Sequence, residues 1–188
     1  MRKLKLQVQV SIDGYMAGPN HEMDWMAFNW DDELGNFVNA LTEPVDLILL
    51  GRNLASGFIE TWAARAADPE TADWAAHKFN DTAKVVFSKT LDQISGKNAT
   101  LANGDLVETV HQLKQETGQD MIAYGGSQFV GSLIQHNLID DYYLFVNPTA
   151  IGAGLPVFSQ RTNLKLVDSK TFACGIIVLH YQPAIDTN

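Results

Sequence analysis

The chain has 188 residues, 46 % of them hydrophobic and 19 % charged, with a formal net charge of -9. This is apolar material enough for a sizeable core and excludes a disordered chain. The acidic balance repels a nucleic-acid backbone or an anionic bilayer, so the expected partner is a small molecule, phosphorylated ones included, with no nucleic acid and no membrane.

Leu4–Ser11 alternates Leu4, Leu6, Val8 and Val10 with Lys5, Gln7 and Gln9. The period of two predicts a strand with one polar face, not the continuous apolar run of a signal peptide. It stops at the turn signal Asp13-Gly14, and Gly18-Pro19-Asn20 comes shortly after. The intervening Tyr15-Met16-Ala17 is too short for an element and reads as an irregular passage over the sheet edge. Asp31 to Leu41 carries a helical stripe of Leu34, Phe37, Val38 and Leu41 behind the acids Asp31, Asp32 and Glu33, and Pro44 closes it. Val45–Leu50, apolar except for Asp46, has the pattern of a parallel strand buried on both faces. Beyond Gly51-Arg52, a short helix over Asn53–Trp62 broken by Gly57, a loop at Arg65–Pro69 and a second helical piece at Thr71–Asn80 are expected.

Lys84–Phe87 is the next buried strand, ending at Ser88, and Asn98–Ala102 is a short strand after Ser95-Gly96. The next helix has Asp105 as N-cap, Glu108 three residues on, a stripe of Leu106, Val110 and Leu113, and Gly118 as its stop. Met121–Tyr124 is a third buried strand, and Gly125-Gly126 leads from it into the helix Ser127–His136. Asp141–Val146 and Cys174–Tyr181 read as strands separated by the Pro148–Phe158 loop and a Leu164–Val167 segment. The short spacing before the last strand implies antiparallel pairing. The sum is one α/β domain over residues 1–188, with a mixed, mostly parallel sheet. Cys174, the single cysteine, excludes an intrachain disulfide and any multi-thiolate metal site. Placed in the last strand, it reads as a small buried hydrophobe, and a reducing cytoplasmic setting fits this usage.

Three successive strand ends present groups that suit phosphate. At Gly125-Gly126-Ser127, residues without Cβ allow a ligand to approach the backbone, and the new helix offers unpaired N–H groups; a plain strand-to-helix turn is the alternative. Gly51-Arg52 adds a guanidinium, otherwise a surface ion-pair partner, and Ser88-Lys89-Thr90 adds hydroxyls and an ammonium. A ligand with several phosphates, such as a dinucleotide, would use all three, because open α/β sheets bind beyond the carboxyl ends of their strands. Asp13 in Ser11-Ile12-Asp13-Gly14 is a candidate for orienting or protonating a substrate or, equally, for holding a turn; Trp25 and Trp30 are candidates for an aromatic slot or for the core. The five histidines show no metal-ligand spacing, and no nucleophile elbow, Walker loop or G-x-G-x-x-G is present. Chemistry carried by a cofactor, such as hydride transfer, fits that pattern.

The segments SIDGYMAGPN (Ser11–Asn20), LILLGR (Leu47–Arg52), VVFSKTL (Val85–Leu91) and the run Tyr124–Phe158 together resemble the dihydrofolate-reductase-like superfamily. The nearest branch is the reductase domain of bifunctional riboflavin-biosynthesis deaminase–reductases. The resemblance implies a three-layer fold whose central, mostly parallel sheet ends in an antiparallel carboxyl-terminal strand. It implies NADPH as cofactor, with Gly51 and Arg52 on its phosphates and Ser88 and Lys89 near the adenosine 2′-phosphate. It places Gly125, Gly126, Ser127 and Phe129 around the pyrophosphate, and Ser11, Asp13 and Gly14 beside the nicotinamide and substrate. It also implies a homodimer, for which the apolar run Tyr142–Val146 could supply an edge or a face. Leu54 stands where true dihydrofolate reductases carry a threonine, and no His-x-Glu with paired cysteines of a zinc deaminase is present. The expected activity is NADPH-dependent hydride transfer to a small heterocyclic or carbonyl-type substrate, with Asp13 as catalytic residue and Trp25 in the substrate site. Dihydrofolate reduction and non-catalytic nucleotide binding are the alternatives.

Overall fold

A computed structural model describes residues 1–184. In chain order the elements are β1 (Leu4–Val10), β2 (Tyr15–Ala17), α1 (Asp32–Thr42), β3 (Val45–Gly51), α2 (Arg52–Ala67), α3 (Trp74–Asp81), β4 (Ala83–Phe87) and β5 (Ala99–Ala102). They continue as α4 (Leu106–Gln115), β6 (Asp120–Tyr124), α5 (Ser127–Gln135), β7 (Asp141–Val146), β8 (Leu155–Pro156), β9 (Leu164–Thr171) and β10 (Ile177–Pro183). The main sheet has the order β5-β4-β3-β6-β1-β7-β10-β9. From β5 to β7 every pairing is parallel; β10 then runs antiparallel to β7, and β9 antiparallel to β10. The mostly parallel sheet with an antiparallel carboxyl-terminal end is therefore as expected.

Helices cover both faces. Leu4, Leu6, Val8, Leu49, Met121 and Ala123 point to one side and pack with Val110 of α4 and Val130, Leu133 and Ile134 of α5. On the other side Ile48, Leu50, Val86 and Ile122 meet Ala55 and Ile59 of α2 and Phe79 of α3. Leu34, Val38 and Leu41 of α1 pack there against Phe145 and Val178, nearer the antiparallel end. Burial of these side chains is the main favourable term holding the three layers together.

The polar face expected for β1 is present and buried: Lys5 and Gln7 are each 8 % exposed, because β1 is flanked by β6 and β7 and faces the helix layer. Several local expectations are corrected by the packing. Tyr15–Ala17 is a strand, since β2 pairs antiparallel with β8 in a second, two-stranded sheet. α2 runs unbroken through Gly57 to Ala67. A helical glycine costs about 1 kcal/mol, which the burial of Ala55 and Ile59 and the contact of Phe58 and Trp62 with Phe79 offset. Cys174 lies in the turn between β9 and β10, not in a strand; it is half-buried, and its N–H donates to Asp31 Oδ2 at 3.2 Å. The Tyr142–Val146 run is no sheet edge, because β1 and β10 occupy its two sides.

Candidate functional site

Adjacent strands β4, β3 and β6 end side by side, and the residues just past each strand face a common cleft of about 750 Å³. Gly51 and Arg52 come from β3 and the start of α2, Ser88, Lys89 and Thr90 from the end of β4, and Gly126, Ser127 and Phe129 from the start of α5. Gly125 lines a second, neighbouring cleft instead.

The helix starts explain why the first cleft suits an anion. α1, α3 and α4 are closed by Asp31, Asp73 and Asp105, whose carboxylates accept from first-turn N–H groups. α2 and α5 begin instead at Gly51 and Gly126, with no side-chain cap. In α5 the first intrahelical bond runs from Val130 N–H to Gly126 C=O at 2.9 Å, so the N–H groups of Ser127, Gln128 and Phe129 are free for a ligand. Gly126 has φ +92°, a conformation that disfavours residues with a Cβ. At Gly51 a Cβ would stand 2.7 Å from Phe129 Cβ, so glycine there lets the two helix starts converge.

Side chains complete the donor set. Arg52 Nη1 donates to Thr90 Oγ1 at 2.5 Å and Nε to Asn53 Oδ1 at 3.3 Å, holding the guanidinium across two strand ends. Ser88 Oγ accepts from the N–H groups of Thr90 and Leu91 at 3.1 and 3.0 Å, shaping the turn that carries the exposed Lys89. Two cations, hydroxyls and backbone donors in one open cleft fit the phosphates of a dinucleotide.

The second cleft, of about 1030 Å³, joins the first along Asn53, Leu54, Gly126 and Ser127. It exists because α1 packs toward β7 and β10 while α2 packs toward β3 and β4, leaving β1 and β6 between them as floor. Gln7, Gln9 and Tyr124 come from that floor, Trp30 and Val38 from around α1, and Phe58 and Trp62 from α2. The walls are therefore aromatic and apolar. Of the charged groups in the lining, Arg65 and Asp73 pair with each other at 3.0 Å, and Arg65 lies over the Trp62 ring at 4.8 Å. Asp31, Asp32 and Glu33 do not line the cleft: Asp31 caps α1, and Glu33 pairs with Lys170 at 2.9 Å.

The remaining candidates gather at the turn after β1, outside both linings. Ser11 is buried, and its Oγ accepts from Tyr15 N–H at 3.0 Å. Asp13 accepts from Ile151 N–H at 3.2 Å and Gly152 N–H at 2.7 Å. The Ser11 hydroxyl beside it and these N–H groups hold the Asp13 carboxyl below its ordinary range. Gly14, at φ +86°, accepts from Val157 N–H at 3.1 Å. Trp25 donates its indole N–H to Glu22 C=O at 3.1 Å and stands outside the lining, whereas Trp30 is in it and stacks on Phe145 at 6.4 Å. His21, at φ +68°, lines both clefts at their junction. Sequence reasoning missed Gln7, Tyr124, Phe58 and Trp62. Gln7 alone carried a signal, its place on the polar face of β1; the other three enter the cleft only through packing.

Among known proteins, the family model described as the RibD C-terminal domain matches residues 2–178. The uncharacterized protein YyaP of Bacillus subtilis (strain 168) is 31 % identical over 186 residues, covering 96 % of this chain and 94 % of that protein. The crystal structure of a putative riboflavin biosynthesis protein from Shewanella sp. PV-4 superposes with a TM-score of 0.72 at 21 % identity, over 98 % of this chain and all (100 %) of the other. The deaminase/5-amino-6-(5-phosphoribosylamino)uracil reductase of Thermotoga maritima gives 0.68 at 17 % identity, over 97 % of this chain and 57 % of the other. With a family match over nearly its whole length and the same fold in these structures, the chain belongs to the RibD C-terminal domain family.

Proposed function

We propose that this protein is an NADPH-dependent reductase of a small heterocyclic or carbonyl-type substrate. The observation that carries the reading is the joining of the two clefts. A donor-rich cleft at three strand ends opens along Asn53, Leu54, Gly126 and Ser127 into an aromatic-walled one. Arg52 and the free N–H groups of Ser127, Gln128 and Phe129 would hold the pyrophosphate, and Ser88 and Lys89 would meet the 2′-phosphate. NADPH, when bound, supplies a hydride. The chain's own part is to orient an acceptor in the second cleft and to keep water from it. Reductase activity named for the Thermotoga protein of the same fold supports the assignment.

Asp13 has a positioning role in this reading. Its carboxylate, ionised at neutral pH and bound to Ile151 and Gly152, orders the loop beside the junction of β1 and β2. Dihydrofolate reduction is disfavoured because Asp73, the carboxylate in the second lining, is paired to Arg65, leaving none free there among the described residues to meet a protonated pterin. The proposed assembly is a homodimer. β9 provides an open sheet edge with Leu166 51 % and Val167 48 % exposed, and light scattering reads the mass directly.

Calorimetric titration of NADPH into the wild-type chain and Arg52→Ala tests the cofactor assignment. A weakening of about 10- to 100-fold, with unchanged circular dichroism, is expected. Equal affinity for the two proteins would sink it. Methotrexate binding in the nanomolar range would favour folate reduction instead.

A further inference from the structure

β1 sends three polar side chains, Lys5, Gln7 and Gln9, toward the α1–α2 layer, and two of them have hydrogen-bond partners within the protein. Lys5 Nζ meets Asp120 Oδ2 at 2.9 Å and Leu41 C=O at 3.2 Å. Gln9 Oε1 accepts from Asn147 Nδ2 at 2.8 Å, and Asn147 is in turn tied to Ala27 N–H at 2.8 Å. Gln7, between them, is 8 % exposed and its Oε1 has no hydrogen-bond partner. Directly beside it in the parallel register stands Tyr124, whose hydroxyl is also buried and without a partner. These two are the buried side-chain oxygens and nitrogens left unpaired among the described residues, and both belong to residues lining the second cleft. Burying such a group unpaired costs roughly 1–3 kcal/mol, so two side by side on one cavity floor imply a partner from outside the chain.

The lining sets the chemistry of that partner. An amide oxygen accepts, so it calls for an N–H; a phenol donates as well as accepts, so it can serve a carbonyl. Burial pushes the Tyr124 hydroxyl far above its ordinary value, which keeps it protonated and a donor. Phe58 stacks on Tyr124 at 5.5 Å, and Trp30 and Trp62 are in the walls, giving flat apolar faces to a ring. Charge is poorly served: Arg65 and Asp73 neutralise each other, and His21 stands at the mouth shared with the first cleft. We propose that Gln7 and Tyr124 are the specificity pair of this cleft, and that its substrate is an uncharged, unphosphorylated planar heterocycle with neighbouring N–H and C=O groups. That separates it from the phosphoribosyl compound named for the Thermotoga protein. The proposal rests on the reductase reading for what becomes of the ligand, and on the cleft alone for its binding.

The test is calorimetric titration of the full chain, without cofactor, with quinazoline-2,4-dione, its N3-methyl derivative, riboflavin and FMN. The dione is expected to bind, N3-methylation to weaken it at least tenfold, and riboflavin to bind no more weakly than FMN. Gln7→Leu and Tyr124→Phe should each lose about tenfold in dione affinity, the span of one buried hydrogen bond. Gln7→Leu should also erase the discrimination against the N3-methyl compound, while neither variant melts below the wild type. Absent wild-type binding, dione affinity unchanged in both variants, tighter binding of FMN than riboflavin, or a fall in melting temperature for both variants would each overturn the proposal. Failure of the reductase reading looks different: the dione series behaves as expected while NADPH does not bind. NADPH binding lost on Arg52→Ala beside a flat dione series would sink the specificity pair and leave the reductase reading standing.

Discussion

The cleft at the ends of β3, β4 and β6 is made of charged tips, hydroxyls and free backbone N–H groups, whereas the cleft over β1 and β6 is made of ring faces and two unpaired polar atoms. The first is built where strand ends turn the chain, and it depends on the backbone that brings the starts of α2 and α5 together at Gly51. The second exists only because α1 and α2 diverge and leave part of the sheet uncovered. One therefore tolerates changes in side-chain packing but not in backbone conformation, and the other has the opposite sensitivity. In the proposed function the two clefts would divide the labour accordingly, a charged ligand part held by local electrostatics and an uncharged one by shape and a few directed hydrogen bonds.

The largest effect should come from the charged cleft. Arg52→Ala is expected to weaken NADPH binding about 10- to 100-fold and to flatten its salt dependence, while leaving affinity for a neutral ring in the second cleft unchanged. Parallel titrations of both ligands at two salt concentrations read this; equal losses for both would erase the distinction between clefts. Next, Gly126→Ala forces a Cβ onto φ +92°, although nothing lies within 4 Å of it. Its cost is conformational, about 1–2 kcal/mol, seen as a lower melting temperature together with weaker NADPH binding. A melting temperature equal to that of wild type would show that the helix start relaxes freely.

Tyr124→Phe should act in the opposite direction on stability. Removing a buried hydroxyl that has no partner is expected to stabilise the ligand-free chain by about 1 kcal/mol, raising its melting temperature by roughly 2–4 °C, with NADPH affinity unaltered. Gain of stability with loss of ring binding is the signature of a group retained for a ligand. The smallest effect belongs to Asp13→Asn. The folded-state carboxyl lies below its ordinary value, so its contribution is present above the unfolded pKa of about 3.9 and is lost as pH falls through the folded value. The variant should match the wild type in NADPH affinity at neutral pH and differ only in acid melting curves, where part of the slope disappears. A changed neutral-pH rate profile would instead place Asp13 among the reacting groups.

The amino-acid sequence by itself determined most of the frame and the charged cleft. Period-two and apolar runs located β1, β3, β4 and β6, and Asp105 announced α4 as the cap it is, whereas Asp31, read as a first-turn acid, is the cap of α1. Gly51-Arg52, Ser88-Lys89 and Gly126-Ser127 were legible because strand ends are local: the residues that turn the chain are the same ones that line the first cleft. Tertiary structure alone decided the rest. β2 is a strand only because β8, far along the chain, lies beside it, and α2 continues through Gly57 only because Phe58 and Trp62 find Phe79. Above all, the polar alternation in β1 carries the same letters whether its outer face meets water or a cavity. Which of these holds is set by where α1 and α2 come to rest on the sheet, a sum of long-range packing contacts that no window of the sequence contains.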